Sequence, residues 1–329
     1  MSEQMYDIAI VGGGPTGLFG LFYAGLRGMK AILFDSLPEL GGQLTTLYPE
    51  KVVYDMPGFP EILARDLAAA MVKQATRFNP DIHTSEQVQK VEKLGERDFR
   101  LTTPRGTYSA RSVLVAGGVG SFTPKKLAIN LDHYEGKGLY YFVKDTNEFR
   151  NKRVLIVGGG DSALDWALHL EPICEVNLIH RRGEFRGHEE SARKVLASSC
   201  KVRLFHEVKE VHGNGRVEAV TIFDNRTKEE TRLDVDALLL NLGFAANLGP
   251  IKDWGLELSG KSIKVDGHFQ TNIPGIFAAG DIIEYPDREN ITLIATGAAD
   301  AAVAVNYAKA YIDPGAKVTP GHSSGRTDL

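Results

Sequence analysis

Two short apolar runs enclose a segment of helical character near the start of the chain. The apolar runs are Tyr6 to Val11 and Lys30 to Phe34, and the segment between them is Pro15 to Arg27. Short apolar runs are typical of buried strands, and a longer amphipathic segment is typical of a helix. The chain is therefore predicted to begin as strand, helix, strand.

The same order of elements returns about 146 residues downstream. Arg153 to Val157 is predicted to be a strand, Asp161 to Leu170 a helix, and Glu175 to Ile179 a second strand. A chain of 329 residues is long enough for two cores of ordinary size. The recurrence therefore predicts two domains built around the same unit.

Two glycine clusters follow predicted strands and are suited to carrying the chain between domains. The strands Phe99 to Thr107 and Ser112 to Ala116 lead into the glycines of residues 117–120. The apolar run Ala237 to Leu240 leads into a second cluster, Gly243 to Gly249.

These clusters divide the chain into a discontinuous outer domain and an inserted inner domain. The outer domain is predicted to comprise residues 1–117 and 247–329, including a C-terminal tail, and the inner domain residues 118–246. Strands that alternate with helices are typical of parallel sheets covered on both faces. The predicted fold class is α/β, with two Rossmann-like, three-layer dinucleotide-binding domains.

Composition narrows the class of protein. Apolar residues make up 43% and charged residues 24% of the chain, and the net charge is −4. A general nucleic-acid partner is not expected, because binding of that kind needs a broad basic surface. The N-terminal residues lack the positive region of a signal peptide, and no apolar run reaches the roughly 18 to 20 residues that span a bilayer. A soluble, cytoplasmic protein without a membrane partner is expected.

The first glycine motif lies directly after the first predicted strand. Gly12, Gly14 and Gly17 form G-x-G-x-x-G, in which the glycines make the turn, admit a pyrophosphate and let the helix pack on the strand. Asp35 ends the second strand, where a carboxylate accepts hydrogen bonds from ribose hydroxyls and disfavours a 2′-phosphate. This half is predicted to bind FAD or NAD, not NADP.

The second glycine motif differs in the charge that follows it. Gly158 to Ala163 reads G-x-G-x-x-A, in which Gly158, Gly160, Asp161, Ser162 and Ala163 are the candidate contacts. The following strand ends in His180, Arg181 and Arg182, with Arg186 about one turn further on. Guanidinium groups match a 2′-phosphate in bidentate geometry. This half is predicted to select NADPH, although a solvated basic cluster is the alternative reading.

Five segments together resemble the thioredoxin-reductase-like flavoproteins over nearly the whole chain. They are Gly12 to Gly17, Gly41 to Leu44, Gly158 to Ala163, His180 to Arg182 and Gly275 to Asp281. The resemblance implies FAD in the outer domain, with Asp281 on the ribityl chain and Gln43 near a polar edge of the flavin. It also implies NADPH in the inner domain and a homodimer.

The redox cysteines of thioredoxin reductases are missing. Those enzymes carry C-x-x-C just before the second glycine motif, where this chain reads Tyr140 to Asp145. The two cysteines, Cys174 and Cys200, have neither C-x-x-C nor metal-ligand spacing and are expected to be buried or idle thiols. A dithiol relay within the chain is therefore not expected.

The chain closely resembles the ferredoxin/flavodoxin–NADP reductases of thioredoxin-reductase type, which lack that cysteine pair. The matching segments are Leu47 to Lys51, Tyr54 with Asp55, Pro57 to Pro60, and Pro320 to Ser323 in the tail.

This resemblance implies roles for individual residues. Tyr48 would stack on one face of the isoalloxazine, and His322 from the partner subunit's tail would cover the other, with Ser323 nearby. The resemblance also implies that three further residues lie along FAD: Thr16, Val88 and Phe122.

The implied activity is hydride transfer from NADPH to flavin N5, followed by two single-electron transfers to ferredoxin or flavodoxin. Three alternatives remain open at this stage: a reductase that serves a quinone, free flavin or disulfide protein, a flavin monooxygenase, and a non-catalytic redox sensor. An acidic ferredoxin would need a basic docking surface. The candidates for that surface are Lys125, Lys126, Arg150, Lys152 and Arg153.

Overall fold

The structure is a computed structural model that describes residues 4–118, 120–319 and 321. Residue contacts divide the chain into two compact units. The first comprises Met1–Phe122 and Ala246–Leu329, and the second Thr123–Ala245. The first boundary therefore lies a few residues after the predicted one at residue 117. Both passages between the units run through strands, Ser121–Pro124 and Phe244–Asn247, which pair with each other.

Six α-helices lie in the described part of the chain. They are α1 (Pro15–Leu26), α2 (Gln43–Thr46), α3 (Ala64–Ala75), α4 (Asp161–Leu170), α5 (Glu189–Ala197) and α6 (Ile294–Ile312).

A five-stranded parallel sheet forms the centre of the first unit. In sheet order its strands are Ile276–Ala278, Val113–Val115, Ile8–Val11, Ala31–Phe34 and Asp81–His83. These short runs are almost wholly buried, as is typical of parallel strands covered on both faces. Helix α1 packs against α3 and α6. Because all five strands are parallel, their carboxyl ends meet at one edge of the sheet.

Smaller sheets complete the first unit. A four-stranded sheet has the order Met5–Tyr6, Gly106–Ala110, Asp98–Thr103 and Lys90–Gly95. Val52–Val53 pairs with Ile62–Leu63, and a three-stranded sheet contains Leu258–Ser259, Ser262–Lys264 and Ile283–Glu284.

One predicted strand is wrong. The segment Phe99 to Thr107 is not continuous but contains the ends of two antiparallel strands joined by a turn at Pro104 and Arg105. Proline has no N–H to donate to a ladder, and its fixed φ suits a turn. The turn is further held by the hydroxyl of Thr103, which accepts hydrogen bonds from the backbone N–H groups of Arg105 and Gly106.

The second unit has three layers around another parallel sheet. In sheet order the strands are Leu139–Tyr140, Ala237–Asn241, Arg153–Gly158, Glu175–His180 and Lys201–Leu204. The chain then forms an antiparallel sheet, with the strands His206–His212, Ala219–Asp224 and Glu230–Asp234.

Alternating residues of the central strand serve two separate cores. Val154 and Ile156 belong to the cluster that contains the buried face of α4, whereas Leu155 and Val157 belong to a cluster with residues of the antiparallel sheet. Successive side chains of a strand point to opposite faces, so a fully apolar strand stabilises both layers.

A buried carboxylate ties strands together at one end of the first sheet. The Glu86 side chain is 0% exposed and accepts hydrogen bonds from Thr103 (2.5 Å), Tyr108 (3.0 Å) and the His83 ring (2.9 Å). Burial alone would raise the pKa of Glu86, but these hydrogen bonds outweigh burial and hold the pKa below its ordinary value. The Glu86 backbone N–H also donates to the carbonyl of Asp35.

Replacing this carboxylate is expected to destabilise the protein in a pH-dependent way. Glu86→Gln removes the charge but keeps the shape, and should lower the free energy of unfolding by about 1 to 3 kcal/mol at neutral pH. Because the pKa is lowered in the folded state, the stabilisation is present above the unfolded pKa of about 4.3 and is lost as the pH falls below it. Urea unfolding from pH 7 to pH 3 measures both effects.

The matched control is Glu92→Gln, which breaks an exposed pair with Lys90. An exposed ion pair contributes about 1 kcal/mol or less. Equal losses in the two variants, or a loss for Glu86→Gln that does not change with pH, would contradict this account.

Candidate functional site

A cavity of about 500 Å³ opens at the carboxyl edge of the first unit's parallel sheet. Its walls come from several separate segments of the chain, because the ends of parallel strands and the loops after them converge at this edge. The described residues that line it are Val11, Gly12, Gly14, Pro15, Thr16, Phe34, Asp35, Ser36, Leu37, Gly42, Gln43, Thr46, Tyr48, Glu86, Gln87, Val88, Ala116, Gly117, Gly118, Gly120, Asn247, Leu248, Pro250, Ile251, Asp281, Thr292, Leu293 and Ile294.

The first glycine motif brings backbone against backbone beside this cavity. Gly12 has φ +115°, and a Cβ atom there would lie 2.3 Å from the carbonyl oxygen of Ala116. A Cβ at Gly17 would lie 1.8 Å from the carbonyl oxygen of Gly12, so helix and strand meet more closely than any side chain allows. Gly17 itself does not line the cavity and instead makes this packing contact.

A second loop approaches the first from the start of α2. Gly42 has φ +58°, and a Cβ there would lie 2.9 Å from the Cα of Gly14. The Gly41 N–H donates to the carbonyl of Gly13 (2.8 Å). Together the two loops leave the N-terminus of α1 open to the cavity at Gly14 and Thr16. The first N–H groups of a helix have no partner within it and favour an anionic ligand.

The Asp35 carboxylate lies at the end of the second strand and is buried. Its oxygens accept hydrogen bonds from the backbone N–H groups of Gly13 (2.5 Å) and Leu37 (2.7 Å). Burial raises the pKa of Asp35, although both hydrogen bonds lower it. The carboxylate therefore links the glycine motif to the strand end and still has lone pairs for hydroxyl donors.

Two further predicted residues, Gln43 and Asp281, meet in the cavity lining. The Gln43 amide donates to the Asp281 carboxylate at 3.4 Å. Burial raises the pKa of Asp281. Burial also raises the pKa of the Tyr48 hydroxyl, with added contributions from the charges of Asp281 and Asp55.

The cavity walls are acidic. The described lining includes three carboxylates, Asp35, Glu86 and Asp281, and contains no lysine, arginine or histidine. A phosphate-bearing ligand would therefore depend on backbone N–H groups and the α1 N-terminus for its counter-charge. An additional terminal phosphate would find no cation in these walls.

Most of the predicted residues of the first site meet at this cavity, and a few do not. Thr16 and Val88 line it. Phe122 lies in the strand Ser121–Pro124, but its side chain is outside the described residues, as are His322 and Ser323. Residues that the sequence prediction missed include Glu86, Gln87 and Thr292 to Ile294. The two glycine clusters were identified only as crossovers. Gly117, Gly118 and Gly120 of the first cluster line the cavity, as do Asn247 and Leu248 within the second.

The glycine motif of the second unit is packed in a similar way. A Cβ at Gly158 would lie 2.5 Å from the carbonyl oxygen of Asn241 and 2.8 Å from the Cβ of Ala163. A Cβ at Gly160 would meet nothing within 4 Å. The motif thus packs tightly on the strand side and leaves open space at the start of α4, where Asp161 and Ser162 are exposed.

The loop after the next strand folds back onto this motif. The backbone N–H groups of Arg186 (2.6 Å) and Gly187 (3.2 Å) donate to the carbonyl of Gly159. The Asp161 carboxylate accepts a hydrogen bond from the backbone N–H of His188 (2.7 Å). Asp161 therefore holds the loop in place.

His180 differs from the arginines that follow it. Its ring is only 7% exposed and stacks on Phe185 with centroids 5.7 Å apart. Burial lowers the pKa of His180, and the nearby positive charges lower it further. Arg181, Arg182 and Arg186 are exposed. The structure thus separates a buried imidazole under the glycine motif from three guanidinium groups at the surface.

The two cysteines are half-buried free thiols at the end of α4. Cys174 donates to the carbonyl of Leu170 (3.2 Å), and Cys200 to that of Ala167 (3.6 Å). Burial raises the pKa of Cys174 to about 11 and raises that of Cys200 as well. Protonated thiols are poor nucleophiles, so neither suits dithiol exchange.

No helix in the described part of the chain is long and apolar enough to cross a membrane. The same residues contain no cluster of histidine, cysteine or carboxylate side chains suited to a metal ion.

Solved structures share this architecture. Thioredoxin reductase from Lactococcus lactis matches with a TM-score of 0.77 and 26% identity, over 93% of this chain and 99% of that one. Thioredoxin reductase from T. acidophilum matches with a TM-score of 0.78 and 26% identity, over 95% of this chain and 99% of that one.

Curated relatives are more similar in sequence. A ferredoxin–NADP reductase of Metallosphaera sedula is 50% identical over 97% of both chains. Ferredoxin–NADP reductase 2 of Chloroherpeton thalassium is 48% identical over 98% of this chain and 96% of the relative. Residues 6–306 match the family described as pyridine nucleotide-disulphide oxidoreductase. The chain therefore belongs to the pyridine nucleotide-disulphide oxidoreductase family.

Proposed function

We propose that this protein is a ferredoxin–NADP reductase that uses FAD and NADPH. The relatives with about half of their residues identical over nearly the whole chain carry that name. The observation that carries the proposal is the opposite charge of the two glycine-motif sites. Carboxylates surround the first, and exposed guanidinium groups follow the second.

The first site fits FAD. Its glycine loops let a pyrophosphate approach the backbone, and Asp35 stands where ribose hydroxyls would donate. The absence of a basic side chain from the described lining disfavours a ligand with a 2′-phosphate. Gln43, Tyr48 and Asp281 extend the cavity wall beyond the dinucleotide loop and would hold the flavin end of the cofactor.

The second site fits NADPH. Open space at Gly160 and the N-terminus of α4 would receive the pyrophosphate. Arg181, Arg182 and Arg186 would bind the 2′-phosphate. His180 would not contact NADPH itself, because its buried ring packs against Gly159 of the glycine motif.

When bound, FAD would supply the redox chemistry, since a flavin can accept a hydride and release electrons one at a time. The residues of the chain orient the two cofactors and shield them from water. A dithiol relay is not part of this proposal, since burial raises the pKa of both Cys174, in the loop after α4, and Cys200, in the loop after α5. Electrons would leave directly for a one-electron carrier.

Part of the proposed docking surface is already neutralised by ion pairs. Lys126 pairs with Asp132 (2.6 Å), and Arg153 binds Asp236 through two guanidinium nitrogens. Lys125 and Arg150 are exposed, so they are the better candidates for contact with an acidic ferredoxin.

Flavodoxin as an alternative carrier, a homodimer and a cytoplasmic location belong to the same proposal. In the homodimer, the tail with His322 and Ser323 would reach the partner subunit's flavin. The chain just before this tail is anchored, because Arg27 donates to the carbonyls of Lys317 (2.7 Å) and Val318 (3.0 Å).

Removing the two strand-end arginines should change the choice of nucleotide. The double variant Arg181→Ala, Arg182→Ala should raise the KM for NADPH by about tenfold to a hundredfold, because charged hydrogen bonds to the 2′-phosphate are lost. The KM for NADH should change far less. Steady-state kinetics with both nucleotides measure the ratio.

Arg193→Ala is the matched control, because Arg193 is exposed in the same unit but pairs with Glu190 on α5. It should leave both KM values unchanged. Equal increases for NADPH and NADH in the double variant would contradict the assignment of the 2′-phosphate site.

The electron acceptor of the protein can be identified by comparing the rates of electron transfer to different carrier proteins. The purified flavoprotein, reduced by NADPH, should transfer electrons rapidly to ferredoxin or flavodoxin and slowly to thioredoxin. The ferredoxin rate should fall with added salt, since exposed charges are screened within about 10 Å at 0.1 M salt. Stopped-flow absorbance and steady-state turnover measure both steps.

Three results would favour another function. Rapid reduction of thioredoxin would overturn the carrier assignment. Preference for a quinone or free flavin would indicate a different reductase. Flavin reduction without turnover on any acceptor would indicate a redox sensor.

A further inference from the structure

A second buried acid lies behind the wall that carries Asp281. Asp300, in the second turn of α6, is only 4% exposed. Its Oδ1 accepts a hydrogen bond from the Tyr285 hydroxyl (2.6 Å), and its Oδ2 accepts one from the backbone N–H of Gly280 (3.4 Å). Asp300 does not line the cavity, so it has no role in the ligand contacts described above.

The peptide units around Gly280 are held from both sides. The Asn290 amide donates to the carbonyls of Gly280 (3.3 Å) and Ile283 (2.9 Å), while Asp300 accepts from the Gly280 N–H. Gly280 has φ +80°, which only glycine adopts without strain. The conformation of the residue directly before Asp281 is therefore set by hydrogen bonds from outside its own turn.

The packing around Thr16 leaves this turn little freedom. A Cβ at Gly280 would lie 2.5 Å from the Thr16 hydroxyl oxygen, and a Cβ at Gly297 would lie 2.3 Å from the same atom. Thr16 thus fills the space between the turn and α6. The turn is therefore restricted by both α1 and α6. Because Gly280 directly precedes Asp281, any displacement of Gly280 would also move Asp281.

The arrangement has an electrostatic cost that its partners offset. Asp281 and Asp300 are both half-buried or buried, and the charge of Asp300 adds to burial in raising the pKa of Asp281. Arg288 lies 3.9 Å above the Tyr285 ring and brings a positive charge near this pair. Burial and like charge both disfavour ionised carboxylates, and hydrogen bonds to each carboxylate together with the charge of Arg288 offset that effect.

We propose that Asp300 is a positioning residue for FAD, which acts through Tyr285 and the Gly280 N–H to hold the Asp281 carboxylate against the cavity. This inference rests on the proposed function, because it takes FAD as the ligand of the cavity. Asp300 supplies a charged acceptor at the base of the turn, and charge-assisted hydrogen bonds are about twice as strong as neutral ones. The loop from Tyr285 to Asn290 is fastened to α6 by the same carboxylate.

Two variants remove the two halves of this connection. Asp300→Asn keeps the shape and removes the charge, and Tyr285→Phe removes the hydroxyl donor alone. Each should raise the FAD dissociation constant by about tenfold, the size expected for the loss of one charged hydrogen bond. Flavin fluorescence, measured as the holoprotein is diluted, follows the release of FAD.

The matched control is Asp287→Asn, which removes an exposed acid from the same loop. It should leave the FAD dissociation constant unchanged. If Asp300→Asn does not fold, Tyr285→Phe tests the same connection with a smaller change.

A double-mutant cycle with Asp281→Asn separates positioning from general stability. If Asp300 acts through Asp281, then Asp300→Asn should raise the FAD dissociation constant much less in the Asp281→Asn background than in the wild type. At saturating FAD, the KM for NADPH should stay unchanged in Asp300→Asn and in Tyr285→Phe. A purely structural role would lower the melting temperature and leave the coupling at zero.

The outcomes distinguish this inference from the proposed function. A wild-type protein that binds no FAD would overturn both. Wild-type binding with an unchanged dissociation constant in Asp300→Asn and Tyr285→Phe, or with effects that simply multiply with Asp281→Asn, would overturn the positioning role alone.

Discussion

The first unit depends on the close approach of backbone segments at the carboxyl edge of its parallel sheet. Gly12 meets the carbonyl of Ala116, Gly17 meets the carbonyl of Gly12, and Gly42 meets Gly14, each at a distance that excludes a Cβ atom. With side chains removed from these contacts, the N-terminus of α1 faces an open cavity. The same glycines are thus required both for the close packing of the sheet and for the shape of the site.

The two glycine motifs differ in the charge of the side chains around them. The described walls of the first cavity carry carboxylates and no basic side chain, so an anionic ligand there depends on backbone N–H groups. The second motif is followed by arginines at the surface, which add a counter-charge for one more phosphate. Similar backbone loops can therefore differ in ligand, because the side chains beyond the glycines set the local electrostatics.

Two buried carboxylates, Glu86 and Asp300, stabilise the segments that form the first site. Glu86 accepts hydrogen bonds from four side chains, those of His83, Thr103, Arg105 and Tyr108, and its backbone N–H binds the carbonyl of Asp35. Asp300 accepts hydrogen bonds from the Tyr285 hydroxyl and the Gly280 N–H, next to Asp281. Each acid is paired with several donors, as burial of charge requires. Glu86 is itself part of the cavity lining, whereas Asp300 lies outside it.

The alternation of apolar strands and glycine motifs was enough to predict the fold class from the sequence, because these patterns depend on local spacing. The family comparisons confirm that prediction. The split of Phe99 to Thr107 into two strands was not predicted, because the residues on both sides of Pro104 are typical of strands. Candidate residues next to glycine motifs could be named in advance, and the structure brings most of them to one cavity.

The sequence by itself determined most strands of the two parallel sheets, where the backbone must approach closely, and which strand end carries acid or base. Only the tertiary structure decided that His180 is buried while Arg181 and Arg182 stay exposed. It also decided that Glu86 lines the cavity and that Asp300 is buried outside the lining. These outcomes depend on contacts between residues far apart in the chain. No local pattern encodes such contacts, because burial and hydrogen-bond partners are set by the packing of whole elements.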